Sequence, residues 1–533
     1  EGAEDLYPMS DIELGMVYHS LEDPSLYHSQ MLIPLRDPAF DLERLRQALR
    51  LLAGKHPILR TGLNPSGFEE PIQIVYRQAE PDLAYEDLTH LALPAQEDHL
   101  RAFLVQDLAQ PFVFHQPPLW RARVFRLDGE NLCLVWIMHH AITDGWSTAC
   151  LVAELREIHQ RLAQEPGFAP EPLACTYRDF VVQELVDKRD PASLDFWRRE
   201  LADCPRLVLE RKPDKSLAAA PPRLHHHELP PGLLAELKPS AQRHGLDLKS
   251  LCFTAYAFLL RMLAMDEEIV CGLVTNTRPL CQDGERLAGC FLNTIPVRLA
   301  LPPDRTWLAH AQRAAAKLQE LKRFERVPLR EIARAAGERG EQGNPFFDVI
   351  FNFVNFHVLE GVPPDERATR INVEGHAATN TWLDFTVSTT LDSFALEVIH
   401  RQDIFDPGEM ARLCGYYEEI LRRLAREPQS VARQEDLLPE AERRLLRVDF
   451  NATDHPHPET AQTLAELFEA QVARAPHAPA VQFGSEVLTY AELNQRTDAL
   501  AARLRALGLG PDKVAALLLR RGLAMPVAIW GVL

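Results

Sequence analysis

Two histidines, an aspartate and a glycine stand at fixed spacing in His139-His140-Ala141-Ile142-Thr143-Asp144-Gly145. Imidazole gains and loses a proton near neutral pH, so a histidine in a cleft can move a proton to or from a reacting group. A carboxylate four positions on can orient that ring, pair with a cation or cap a helix, and glycine lets a ligand approach the backbone. The heptapeptide reads as an active site. The plainer alternative is a buried, hydrogen-bonded histidine beside a helix whose cap is Asp144.

The flanking residues say how such a site is held. Leu132-Cys133-Leu134-Val135-Trp136-Ile137-Met138 has no polar alternation and suits a strand buried on both faces that ends where the histidines begin. Neighbouring side chains of a strand point opposite ways, so one histidine serves the site and the other the scaffold. Gly145 permits a close turn, and Trp146-Ser147 opens a segment whose Leu151, Val152, Leu155, Ile158 and Leu162 recur at helical spacing. Strand, polar turn and helix together form a common seat for catalysis.

At 533 residues the chain exceeds one ordinary core, and two to four packed units are expected. Its 46% hydrophobic and 25% charged residues are a soluble globular balance. No apolar run approaches a bilayer span and no signal-peptide pattern opens the chain, so a cytoplasmic protein without a membrane partner is expected. A net charge of -19 argues against nucleic acid or an anionic membrane. The nine cysteines show no CxxC pair and read as reduced, mostly buried thiols. The densest ligand cluster, His225-His226-His227, splits its side chains between two faces of a strand without a completing Cys or carboxylate, so no metal is expected.

Proline-rich and polar stretches at 205–222 and 451–460 read as linkers, and 337–344 as an exposed loop. Helices are expected at 42–52, 97–108, 250–265 and 407–425. Strands are expected at 72–76, 121–125, 268–275, 295–300 and 348–356. Two α/β lobes of comparable size follow, at 1–205 and 223–435, joined by a linker at 206–222. A linker at 436–463 then precedes a shorter segment at 464–533.

Seven ordered motifs carry a family resemblance. Tyr7-Pro8-Met9-Ser10-Asp11-Ile12-Glu13-Leu14-Gly15-Met16, Lys55-His56-Pro57-Ile58-Leu59-Arg60-Thr61, the stretch from Met138 through the histidines to Ser147, and Tyr177-Arg178-Asp179-Phe180 are the first four. Gly289-Cys290-Phe291-Leu292-Asn293-Thr294 with Arg298, then Val327-Pro328-Leu329 and Asn344-Pro345-Phe346-Phe347-Asp348, complete them. The chain resembles the condensation domains of nonribosomal peptide synthetases, in a superfamily that includes chloramphenicol acetyltransferase. Leu488-Thr489-Tyr490-Ala491-Glu492-Leu493, with a helix expected at 492–507, is similar to the start of an adenylation domain. The phosphate loop and distant lysine of that family have no counterpart in the 533 residues, and ATP-dependent adenylation by them is not expected.

The resemblance implies an α/β fold: two chloramphenicol-acetyltransferase-like lobes in a V-shaped pseudodimer with a central tunnel, followed by a partial α/β adenylation segment. It implies an acyltransferase in which the α-amine of an aminoacyl group on a carrier protein attacks an acyl thioester. His140, Gly145 and His139 form the catalytic candidates. His140 acts on the amine, Gly145 offers its N–H to the oxyanion with Ser147 as helper, and His139 leans to a structural role. Asp144 pairs structurally with Arg278 of Thr275-Asn276-Thr277-Arg278-Pro279. Ser147, Trp146, Tyr18, Asn293 and Asn352 are assigned to the tunnel lining. No GxSxG elbow occurs, which favours direct transfer over an acyl-enzyme.

The implied partners are a downstream peptidyl carrier protein, the rest of the adenylation domain in cis, and acyl-coenzyme A or an upstream carrier as donor. No cofactor is held intrinsically, and the substrates ride on coenzyme A or phosphopantetheine. Ser10 to Ser20 with Tyr27-His28-Ser29-Gln30 resembles starter condensation domains, which acylate the first amino acid. An elongating domain is the nearest alternative and a silent carrier-recruiting scaffold the alternative of another class. Glu374-Gly375-His376 is only superficially similar to an epimerization motif.

Overall fold

The computed structural model describes residues 2–207, 209, 220–338, 344–356, 358, 373, 375–376, 378–390, 393–433, 437–454 and 462–533. Most of the expected 206–222 linker, residues 339–343 of the 337–344 loop, Glu374, and residues 455–460 lie outside them. The chain divides into two compact units, Glu1–Pro439 and Glu440–Leu533.

In the first half of the larger unit the strands are β1 (Ala3–Pro8), β2 (His28–Arg36), β3 (Thr61–Asn64), β4 (Ile72–Tyr76), β5 (Leu83–Asp87), β6 (Trp120–Arg126) and β7 (Asn131–His139). They form a three-stranded sheet ordered β1-β4-β3 and a four-stranded sheet ordered β2-β7-β6-β5. β7 is buried along almost its whole length, as its unbroken apolar run requires. Its two faces feed different cores: Leu132, Leu134, Trp136 and Met138 enter one, and Cys133, Val135 and Ile137 the other. That alternation continues into the histidines.

The second half supplies β8 (Arg223–Glu228), β9 (Glu268–Asn276), β10 (Leu292–Ala300), β11 (Val349–Val354), β12 (Leu383–Ser388) and β13 (Ala395–His400). They make one mixed sheet ordered β10-β9-β11-β12-β13-β8. β11 runs parallel to both neighbours, β9 and β12. The apolar helix Leu248–Ala264 and the amphipathic helix Pro407–Arg426 lend buried residues to its core. His225, His226 and His227 alternate along the edge strand β8, opposite Val398, Glu397 and Leu396.

Core membership does not follow chain order. Phe196 and Trp197, on the helix Pro191–Glu200, pack in the second core, where the Phe196 ring stacks 3.8 Å from Phe324. Leu287, Ala288, Cys290 and Phe291 pack in the first. The two lobes therefore exchange segments, and residues 277–291 cross from the second onto the first.

In the smaller unit, the helix Glu440–Arg444 occupies part of the stretch expected as linker. β14 (Pro479–Phe483) and β15 (Glu486–Thr489) form a hairpin. The helix Tyr490–Ala506 follows, begun by a capping box between Thr489 and Glu492. Among the described residues no helix is long and apolar enough to cross a membrane.

Candidate functional site

A cavity of about 1550 Å³ opens between the lobes of the larger unit. Trp136, Met138 and His140 line it from one side of β7, and Asn352, Asp384 and Thr386 from the second sheet. Of the two histidines, His140 faces this space. Its backbone N–H donates to the Tyr27 carbonyl at 2.8 Å, and its Nδ1 has no hydrogen-bond partner. Burial lowers its pKa, with its own backbone carbonyl and then Asp144 pulling the other way, so the neutral ring is favoured.

His139 faces the opposite side and is not placed for catalysis. Its Nδ1 accepts from the Ala141 N–H at 3.2 Å, and its Nε2 meets Ser20 Oγ at 2.9 Å. Phe114 packs edge-on at 4.9 Å, and burial pushes the pKa down to about 3. The separation follows from the strand period, since His139 shares the face of Ile137 and His140 that of Met138.

Asp144 is not on the His140 ring. It caps the helix Gly145–Gln164 by accepting from the Ser147 N–H at 2.7 Å. It also accepts from the Phe291 N–H at 3.1 Å and from Arg278 at 3.2 Å. Arg278 donates further to Ser147 Oγ at 2.7 Å, to the Gly284 carbonyl at 3.1 Å and to the Leu287 carbonyl, and lies over the Phe291 ring. These contacts clamp the crossing segment onto the helix N-terminus.

The clamp corrects two lining assignments. Ser147 does not border the cavity: its hydroxyl donates to the Gly289 carbonyl at 2.7 Å and is buried in the clamp, which also removes it as an oxyanion helper. Trp146 does not border it either, because its indole N–H turns to the Glu285 carbonyl at 2.8 Å. Gly145, Tyr18, Asn293 and Asn352 do line the space. Asn293 ties two loop carbonyls, of Glu325 and Val327, at 2.8 and 2.7 Å. A Cβ on Gly145 would meet Phe356 Cζ at 2.9 Å, so a larger residue here would have to push that ring aside.

Several of the remaining motif residues are braces. Tyr177 OH donates to the Cys290 carbonyl at 2.8 Å and lies 3.0 Å from Ser10 Oγ, bringing the first, fourth and fifth motifs together. Lys55 and His56 both contact Glu154, joining the helix Leu42–Lys55 to Gly145–Gln164. Arg298 pairs with Glu268. Gly375 sits where a Cβ would fall 1.8 Å from the Gln30 carbonyl. The neighbouring His376 and Ala378 carbonyls accept from the N–H groups of Gln30 and Tyr27, at 2.9 Å each. This second bridge between the lobes explains the glycine of Glu374-Gly375-His376.

Asp384 escaped the reading of the sequence. It is a buried carboxylate on the cavity wall, with Oδ2 accepting from Thr379 at 2.9 Å and Oδ1 unpartnered. Burial raises its pKa to about 6. The signal was a charged residue at an alternate position of the otherwise apolar Leu383-Asp384-Phe385.

Residues 3–447 match the family model of the Condensation domain, and residues 468–533 that of the AMP-binding enzyme. A linear gramicidin synthase of Brevibacillus parabrevis is 30% identical over 99% of this chain, which spans 10% of that protein. A mycosubtilin synthase of Bacillus subtilis is 28% identical over 99% of the chain, which spans 20% of it. The fold matches holo-AB3403, a four-domain nonribosomal peptide synthetase bound to AMP and glycine, with a TM-score of 0.77 at 18% identity, over 99% of this chain and 41% of that one. The first condensation domain of the calcium-dependent antibiotic synthetase matches 80% of this chain over 98% of its own, with a TM-score of 0.65 at 17% identity. The chain belongs to the condensation-domain family of nonribosomal peptide synthetases, whose members form amide bonds, and continues into the start of an AMP-binding domain.

Proposed function

We propose that this unit joins an acyl thioester to the α-amine of an aminoacyl group carried on the phosphopantetheine arm of a carrier protein, in the cytoplasm. The observation that supports this most is His140, which alone of the two histidines faces the inter-lobe cavity. The amine nitrogen attacks the thioester carbonyl, the C–S bond breaks and a thiolate leaves, while the ammonium proton passes to His140. A free α-amine has a pKa of about 8, so alignment and proton removal are the tasks left to the protein. The Gly145 N–H, in the first turn of its helix, is the donor assigned to the developing oxyanion. Asp144 and Arg278 hold that helix end in place and take no proton.

The donor in this reading is acyl-coenzyme A, on the resemblance of residues 10–30 to starter domains. A second reading, an elongating domain fed by an upstream carrier, is favoured by the relatives. In them the matched stretch is a tenth to a fifth of a long synthase. Incubation with an aminoacyl-loaded carrier and either acyl-coenzyme A or a peptidyl carrier, followed by intact-protein mass spectrometry, separates the two. Transfer from acyl-coenzyme A that His140→Ala abolishes supports the starter reading. Transfer only from the carrier replaces it with elongation, and silence with both donors refutes amide formation.

A further inference from the structure

All nine cysteines are free, and one pair is in contact: Cys281 Sγ lies 3.0 Å from Cys175 Sγ. Cys175 precedes the helix Tyr177–Asp187 in the first lobe, and Cys281 belongs to the crossing segment. Cys281 is exposed and Cys175 buried beneath it. We propose that Cys175 and Cys281 are a reversible oxidation site that closes to a disulfide and fastens the crossing segment to the first lobe.

The backbone around the pair is already tied down on both sides. Arg278, three residues before Cys281, is anchored to Asp144. Asp283, two residues after it, accepts from the Ala174 N–H at 3.1 Å, and Cys175 Sγ approaches the Gln282 carbonyl at 3.2 Å. A disulfide needs its sulfurs about 2 Å apart, so small side-chain rotations close the gap with these anchors in place. Neither thiol lines the inter-lobe cavity.

Exposure makes Cys281 the point of entry. Burial and the neighbouring thiol push Cys175 up to about 12, which leaves Cys281 to initiate. With a glutathione disulfide as oxidant, the Cys281 thiolate attacks one sulfur, the S–S bond breaks and one glutathione thiolate leaves. Cys175 then loses its proton to solvent and attacks the Cys281 sulfur, expelling the second glutathione thiolate. Two protein thiols become one disulfide as one glutathione disulfide becomes two thiols.

The test is oxidation of the full chain in glutathione buffers, quenching, digestion without reduction and mass spectrometry. The expected product joins the peptides of Cys175 and Cys281, is about 2 Da lighter than the dithiol, and reverts with dithiothreitol. The oxidised chain should exchange the amides of 277–291 more slowly and melt about 3 °C higher. In Cys175→Ser the glutathione should remain on Cys281, and in Cys281→Ser Cys175 should stay unmodified. A persistent glutathione adduct on Cys281 of the unaltered chain, a cross-link from Cys281 to another cysteine, or unchanged exchange over 277–291 would overturn the proposal. The readout on the unaltered chain stands even where a variant fails to fold.

Discussion

Replacing Arg278 by Met keeps most of the side-chain volume and removes the charge at the centre of the lobe clamp. Asp144, whose side chain has no exposed surface, would keep its bonds from the Ser147 and Phe291 N–H groups and lose its counter-charge. The Gly284 and Leu287 carbonyls would lose a donor. Breaking a buried pair from one side costs about 3–5 kcal/mol. For a unit spanning Glu1–Pro439, an unfolding entropy of about 2.1 cal/mol/K per residue converts this to a Tm loss of roughly 3–5 °C. Asp144→Asn retains an acceptor for the Ser147 N–H and should cost about 2 kcal/mol. The double variant should be less damaged than the two single losses combined, by about 2 kcal/mol, because each single change strands a charge that the double change removes. Urea and thermal unfolding of the four chains measure the cycle. A loss below about 1 kcal/mol for Arg278→Met, or strict additivity, would refute a desolvated clamp and show a screened surface pair instead.

Acid should weaken the fold through buried neutral histidines. His139 and His310, held down to about 3 and 4 by burial, stay neutral when folded but protonate near 6.5 when unfolded, so each removes about 1.4 kcal/mol per pH unit below that value. His139→Gln should therefore flatten the fall in urea midpoint between pH 6.5 and 5, and an unchanged slope would count against the buried neutral ring. Glu13 carries the opposite sign. Its pKa is raised to about 8 by burial, so the folded chain holds a proton that the unfolded chain has released, and stability falls as pH rises from about 4.5 to 8. Glu13→Gln should gain on the wild type by about 4 kcal/mol between pH 4 and 8, and a constant difference would refute the raised value. Gly375→Ala should cost about 2 kcal/mol, because its Cβ would strike the Gln30 carbonyl. Hydrogen exchange at the Tyr27 and Gln30 amides should rise with it, and unchanged protection would show that the bridge does not need the glycine.

Local periodicity made much of the architecture legible. The unbroken run 132–138 became β7 (Asn131–His139), and the helical spacing of Leu151 to Leu162 became Gly145–Gln164. The expected strands at 72–76 and 121–125 appear as β4 and β6, and the expected helix at 407–425 as Pro407–Arg426. The helix at 97–108 begins earlier, at Leu93, where Pro94 in its first turn replaces a side-chain cap. Partners that lie far apart in the chain were not legible. Nothing in Gly289-Cys290-Phe291 says that it packs in the first core. A Cβ on Gly289 would fall 2.3 Å from the Tyr177 ring, and this close approach shows only in three dimensions. Trp146 and Ser147 misled for the same reason. Polar groups beside the histidine motif look available to substrate, but the crossing segment claims both.

The same geometry bears on what sets the reactivity of His140. In a triad, a carboxylate orients the imidazole and stabilises its cation. Here both oxygens of Asp144 are spent on the helix cap, the Phe291 N–H and Arg278, and His140 Nδ1 has no hydrogen-bond partner. Burial then dominates and favours the neutral ring. A ring of lowered basicity is a weak acceptor toward a free ammonium, yet sufficient for an amine nitrogen made strongly acidic by attack on a carbonyl. In the proposed reaction His140 therefore serves after the N–C bond has begun to form. The clamp of Asp144 and Arg278 acts one step removed, by fixing the helix end and the lobe spacing across which amine and thioester must meet. An aligned pair of reactants gains more from that rigidity than from a stronger base, since positioning alone contributes up to about 7–11 kcal/mol.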